Sequence, residues 1–153
     1  MSESKLKTMG SKTICQIAIV VRDIEKTARA WADLFGVAVP EWRLTGPGDE
    51  TNTRYRGQPS SARAKLAFIQ FDNISLELIE PVGAPSVWQE VLDAKGECVH
   101  HVAFRVKGAD EHVAMLDAKG MPLIQSGDYT GGCYRYIDSA GTLGVILELL
   151  ENR

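Results

Sequence analysis

Four polar residues stand in two matched frames. Glu77 lies in Leu76-Glu77-Leu78-Ile79-Glu80 and Glu148 in Leu147-Glu148-Leu149-Leu150-Glu151. Gln16 opens the apolar run Gln16-Ile17-Ala18-Ile19-Val20-Val21, and His101 opens His101-Val102-Ala103-Phe104-Arg105-Val106. One amide oxygen, two carboxylates and one imidazole form a mainly oxygen donor set with a borderline nitrogen. Such a set suits one divalent ion, Zn, Ni, Co, Mn or Mg, rather than a structural thiolate site. Two carboxylates neutralise the ion, and four ligands leave positions open for a substrate oxygen. Taken singly, each residue is explained as well by solvent exposure or an ordinary hydrogen bond. A buried carboxylate without a partner is costly, however, and two of them in identical Leu-Glu-Leu frames favour a shared partner.

The elements that must position these groups repeat as well. Residues 13–21 are rich in β-branched side chains and read as a strand, with Asp23 placed as a helix N-cap. Ile24, Ala28, Trp31 and Phe35 then mark one helical face before Gly36. Residues 40–61 read as a loop, and residues 65–71 and 74–79 as two strands joined by Asp72-Asn73. Ser86 and Gln89 form a capping-box pattern for a linker helix of about residues 86–95. A second unit follows: a strand over 99–106, a helix with Ala109, Val113 and Leu116 on one face, and strands near 122–126, 132–138 and 145–150. The interval from Gln16 to Gly36 nearly matches that from His101 to Gly120, and the 40–61 loop accounts for the longer first unit. Strand alternation puts Gln16, Glu77, His101 and Glu148 on the face opposite the helices, and puts His100 on the helix side.

The composition narrows the class. The 153 residues carry a net charge of -3 without a cluster of Lys and Arg, which argues against a nucleic-acid partner. No apolar run approaches the roughly 20 residues that span a bilayer, so the expected location is the cytoplasm and no membrane partner is expected. Cys15, Cys98 and Cys133 are widely spaced and read as reduced thiols. Residues 1–12 read as a flexible leader, with one domain over 13–153: a first module at about 13–81 and a second at about 99–151.

These residues together resemble the vicinal-oxygen-chelate superfamily, which includes glyoxalase I, methylmalonyl-CoA epimerase, extradiol dioxygenases and bleomycin-resistance proteins. Glu77-Leu78-Ile79-Glu80-Pro81-Val82-Gly83 followed by Gly96-Glu97-Cys98-Val99-His100-His101-Val102 is similar to the epimerase branch, and the Gln, Glu, His, Glu set resembles one class of glyoxalase I. The resemblance implies an α+β fold of two tandem βαβββ modules forming a cupped mixed sheet, with helices on the outer face. It implies metal ligands at Gln16, Glu77, His101 and Glu148, with Glu148 and Glu77 as catalytic bases. The chain departs from both branches: Val20 and Pro81 stand where glyoxalase I carries Arg and Asn, and Ser61 or Ala62 where epimerases carry a Glu. The resemblance therefore specifies a metal centre and leaves the substrate open.

The expected activity is that of a divalent-metal-dependent isomerase, epimerase or lyase. It would act on a small 2-oxo compound or acyl-CoA thioester by removing a proton next to a polarised carbonyl. The alternative is a metal-independent protein that binds a small molecule such as an antibiotic. An extradiol dioxygenase would need His where Gln16 stands. Arg54, Arg56, Arg105 and Tyr134 are candidate substrate contacts, and by analogy with the family the partner is a second copy in a homodimer.

Overall fold

The computed structural model describes residues 5–153, so the first four residues of the expected leader lie outside the described residues. In chain order the elements are β1 (Ile14–Val20), α1 (Ile24–Phe35), β2 (Arg43–Leu44), α2 (Gly48–Thr51), β3 (Arg54–Tyr55), β4 (Gln58–Pro59), β5 (Arg63–Gln70) and β6 (Ser75–Val82). There follow α3 (Val87–Lys95), β7 (Cys98–Arg105), α4 (Ala109–Ala118), β8 (Leu123–Tyr129), β9 (Gly132–Ile137), α5 (Ala140–Leu143) and β10 (Ile146–Asn152). All the strands join one mixed, strongly curled half-barrel sheet in the order β2-β5-β6-β1-β7-β10-β9-β8-β3-β4. This is the α+β architecture expected of tandem modules.

The sheet carries an approximate two-fold axis at its centre. β1 runs parallel to β6, β7 runs parallel to β10, and β1 and β7 meet antiparallel. The register repeats too: Ala18 lies beside Glu77 in the first module, and Ala103 beside Glu148 in the second.

Each module packs a helix on the outer face. Asp23 caps α1, its Oδ1 accepting from the Lys26 amide at 3.1 Å, and Gly36 ends the helix in the left-handed conformation that a residue without Cβ adopts at least cost. Ile24 and Ala28 bury against Ile69, Leu76 and Leu78. Phe35 departs from the expected buried face: it is 50% exposed, stacking on Trp31 and meeting Phe71 edge-on. On the other half, Met115 and Leu116 of α4 pack on Ile137, Leu147 and Leu149. Leu6 and Met9, from the expected leader, pack against this second cluster, and the His112 ring lies 3.1 Å from the Met9 carbonyl.

The linker helix α3 sits differently. Ser86 caps it as expected, but Gln89 turns to Asp93 instead of back to the cap. Val87 and Trp88 at its start pack with Ala18, Ile79, Tyr136 and Ile146 on the inner face, closing one end of the cup. The 40–61 segment is more ordered than a loop. It leaves β2 at one edge of the sheet, passes through α2 and adds β3 to β8 at the other edge. The β3–β4 turn is Arg56-Gly57, both with positive φ, the geometry of a two-residue hairpin loop.

Candidate functional site

The repeated register lays the polar groups on the cup floor in two cross-strand rows. One runs Phe68, Glu77, Ala18, His101; the other runs Tyr136, Glu148, Ala103, Gln16. Ala18 and Ala103 are fully buried, and their small side chains leave room for the longer ones beside them to converge. His101 Nε2 lies 3.1 Å from Glu148 Oε1, 3.2 Å from Gln16 Oε1 and 3.4 Å from Glu77 Oε1. The two carboxylate Oε1 atoms are buried, and neither has a well-directed hydrogen bond.

The electrostatics follow from this enclosure. Burial, the largest influence on His101, opposes its charge. The field of Glu148 and hydrogen bonding to Glu148 and Glu77 outweigh it, and the imidazole is pushed up to about 9. Burial also raises Glu77, with His101 partly compensating. His100 goes the other way, down to about 3, because it is buried beside a cationic neighbour. Tyr136 and Tyr134 are held as phenols by burial and by the nearby carboxylates. Trp88 Nε1 donates to the Tyr136 hydroxyl at 2.9 Å, and Gln125 Nε2 donates to the Tyr134 hydroxyl at 3.1 Å.

His100 corrects the strict-alternation expectation. The β1–β7 register slips so that Ala18 and Ile19 face His101 and Val99, leaving His100 as the extra residue of a β-bulge. The bulge turns His100 onto the same side as His101: their Nδ1 atoms are 2.8 Å apart, and the His100 ring lies 5.2 Å from that of Tyr136. Its two-fold counterpart is the bulge at Cys15, next to Gln16. Paired bulges produce no periodicity signal; the adjacent His pair was the visible clue.

The remaining candidates divide. Tyr134 is on the cup floor, its ring 5.0 Å from that of Tyr136. Arg54 turns back to the Gly57 carbonyl at 3.2 Å, and Arg56 pairs with Glu90 of α3 at 2.7 Å, so neither reaches the four converging groups. Arg105 is exposed at the end of β7, where its charge acts on Cys15 and Tyr129. Gln125, Trp88 and Tyr136 complete the inner surface, and no period or motif in the sequence marks Gln125 or Trp88. A pocket of about 550 Å³ is lined by the 47–63 segment alone, and one of about 180 Å³ lies between α3, His100 and Ile146.

The donor set fits a divalent ion. Ligand atoms around an ion at about 2.1 Å stand roughly 3.0–3.4 Å from one another, the spacing around His101 Nε2. Among the described residues no three His, Cys, Asp or Glu side chains form a group that could hold a metal ion as they stand. The contacts all pass through Nε2, so the fit rests on that single convergence of two carboxylates and the Gln16 amide oxygen.

Comparison with known proteins agrees with the fold. The chain is 33% identical over 92 residues to the uncharacterized protein YqjC of Bacillus subtilis (strain 168), covering 58% of this chain and 66% of that protein, just under two thirds of its length. In solved structures it is similar to methylmalonyl-CoA epimerase from Mycobacterium tuberculosis (TM-score 0.63, 19% identity, covering 96% and 95% of the two chains). It is also similar to a Streptomyces coelicolor methylmalonyl-CoA epimerase variant in complex with 2-nitronate-propionyl-CoA (TM-score 0.62, 23% identity, covering 93% and 96%). At these identities the structural likeness speaks for the fold. The family model described as Glyoxalase/Bleomycin resistance protein/Dioxygenase superfamily matches residues 15–137, and the chain belongs to that superfamily.

Proposed function

We propose that the cup is a divalent-metal-dependent proton-transfer site of the isomerase, epimerase or lyase kind, acting on a small 2-oxo compound or an acyl-CoA thioester. The observation that carries this is the convergence of three oxygens, Gln16 Oε1 and the buried Glu77 Oε1 and Glu148 Oε1, on His101 Nε2. Gln16, Glu77, His101 and Glu148 would hold the ion, a kind of cofactor that members of this superfamily often bind. When bound, it would polarise a substrate carbonyl and acidify the neighbouring C–H.

The protein's own groups do the rest. Glu148 accepts the proton, and Glu77, in the other row, stands across the floor to return one. Two bases flanking one carbon give epimerisation or isomerisation, and one alone gives a shuttle within a single face. The Tyr134 and Tyr136 hydroxyls remain protonated beside the carboxylates, and α3 limits water at one end. The acyl-CoA class is supported by the epimerase neighbours, one of which carries an acyl-CoA derivative. Three unpaired thiols agree with a cytoplasmic, reducing location. Among the described residues no helix is long and apolar enough to cross a membrane. A homodimer is proposed by analogy with the family.

One observation favours a second reading, metal-independent binding of a small molecule: protonated His101 already supplies a cation between the two carboxylates. Metal analysis of the purified protein separates the two. One divalent ion per chain, lost in Glu148→Ala, is expected, followed by solvent-deuterium incorporation next to the carbonyl of a 2-oxo acid or acyl-CoA thioester. A metal-loaded protein that exchanges no such proton would sink the enolate chemistry, and a protein that takes up no ion would favour the binder.

A further inference from the structure

We propose that His100 is a positioning residue that fixes the His101 ring by accepting a hydrogen bond from its Nδ1, so that Nε2 is the nitrogen presented to Gln16, Glu77 and Glu148. The assignment starts from an atom that can only accept. His100 Nε2 lies 3.3 Å from the Val87 carbonyl oxygen, so this nitrogen carries the hydrogen and the Nδ1 of the neutral ring is bare. His101 Nδ1, 2.8 Å from that bare nitrogen, must then donate to it. The chain of hydrogen bonds runs from His101 to His100 to the backbone at the start of α3.

The surroundings keep the rings in this order. His100 is 1% exposed, and its ring meets Tyr136 at 5.2 Å and His101 at 5.1 Å with nearly perpendicular planes. The bulge is what puts the two rings on one side, since unbroken alternation would send them to opposite faces. The first module has the same bulge without the same device. There the Cys15 thiol donates to the Ala103 carbonyl at 3.4 Å, a backbone contact separate from the neighbouring Gln16 amide. The two halves thus share a backbone feature, and only the second uses it to orient a ring. A histidine that ligates through one nitrogen commonly has the other fixed by such an outer partner.

The consequence for metal binding rests on the proposed reading of the cup; the His101–His100 hydrogen bond itself does not. Long-range ¹H–¹⁵N spectra of the metal-free protein, with coupling measured across the N–H···N bond, should place the hydrogen on His101 Nδ1 and none on His100 Nδ1. A hydrogen on His100 Nδ1 overturns the proposal. Zinc affinity, measured by competition with a chromophoric chelator, should fall about 10–100-fold in His100→Phe, the range typical of a lost outer partner. It should recover substantially in His100→Gln, whose amide can accept from His101 and donate to Val87. Unchanged zinc affinity in a folded His100→Phe also overturns it. If that variant does not fold, the wild-type spectrum decides. A wild-type protein that takes up no zinc yet shows the coupling defeats the metal reading and supports the assigned hydrogen bond.

Discussion

At His101 Nε2 a proton and the proposed divalent ion would compete for the same three oxygens, with a measurable thermal consequence. Without metal, the raised His101 contributes stability that is fully present below its ordinary value of 6.5 and is lost as the pH climbs through about 9. Glu77, also raised, acts in the same sense: the folded state holds its proton at a pH where the unfolded chain has released it, so stability again falls as pH rises. With about 1.4 kcal/mol per pKa unit and about 2–4 °C per kcal/mol, the metal-free Tm should drop by roughly 5–10 °C between about pH 6.5 and 9.5. Zinc should flatten the profile, because an ion replaces the proton between the carboxylates. Scanning calorimetry with chelator and with zinc checks this; a flat profile without metal would contradict the buried imidazolium. Alternation alone was enough to assign Gln16, Glu77, His101 and Glu148 to one face. It misplaced His100 because a bulge inserts one residue and reverses the parity beyond it.

The strands that carry the site act through what they leave empty. Ala103 is fully buried between Gln16 and Glu148 in its row, as Ala18 is between Glu77 and His101. Ala103→Leu should therefore put its added carbons into the space where the four groups meet. The expected cost is about 1–3 kcal/mol of overpacking, seen in urea unfolding, together with loss of divalent-ion uptake while far-UV dichroism is retained. Undiminished uptake would show that the alanines do not shape the site. The long strands and capped helices were legible because Ile17, Ile19 and Val21, or Ile24 and Ala28, carry a period, and Asp23 and Ser86 mark helix starts. β3 and β4 were not: each is two residues long, β3 takes its partner strand from the other module, and only Gly57 hints at the turn.

Over the whole molecule, the 46–53 segment ties the two edges of the curled sheet together, and Arg56 fastens it to α3 through Glu90. Both partners are partly exposed, so the pair is worth about 0.2–1 kcal/mol. Glu90→Ala should leave Tm within about 3 °C and yet raise amide hydrogen exchange across residues 46–62 severalfold, since it removes the segment's side-chain tie to α3. Unaltered exchange would mean that the strap does not depend on the Arg56–Glu90 pair. The two cross-strand rows have another consequence. Glu77 shares its row with His101, and Glu148 shares its row with Gln16, so each row draws one group from each module. Neither half owns the complete set of proposed ligands. Expressed as two fragments divided after Gly83, the protein could assemble the set only by rejoining its halves, and ion uptake would then report their association.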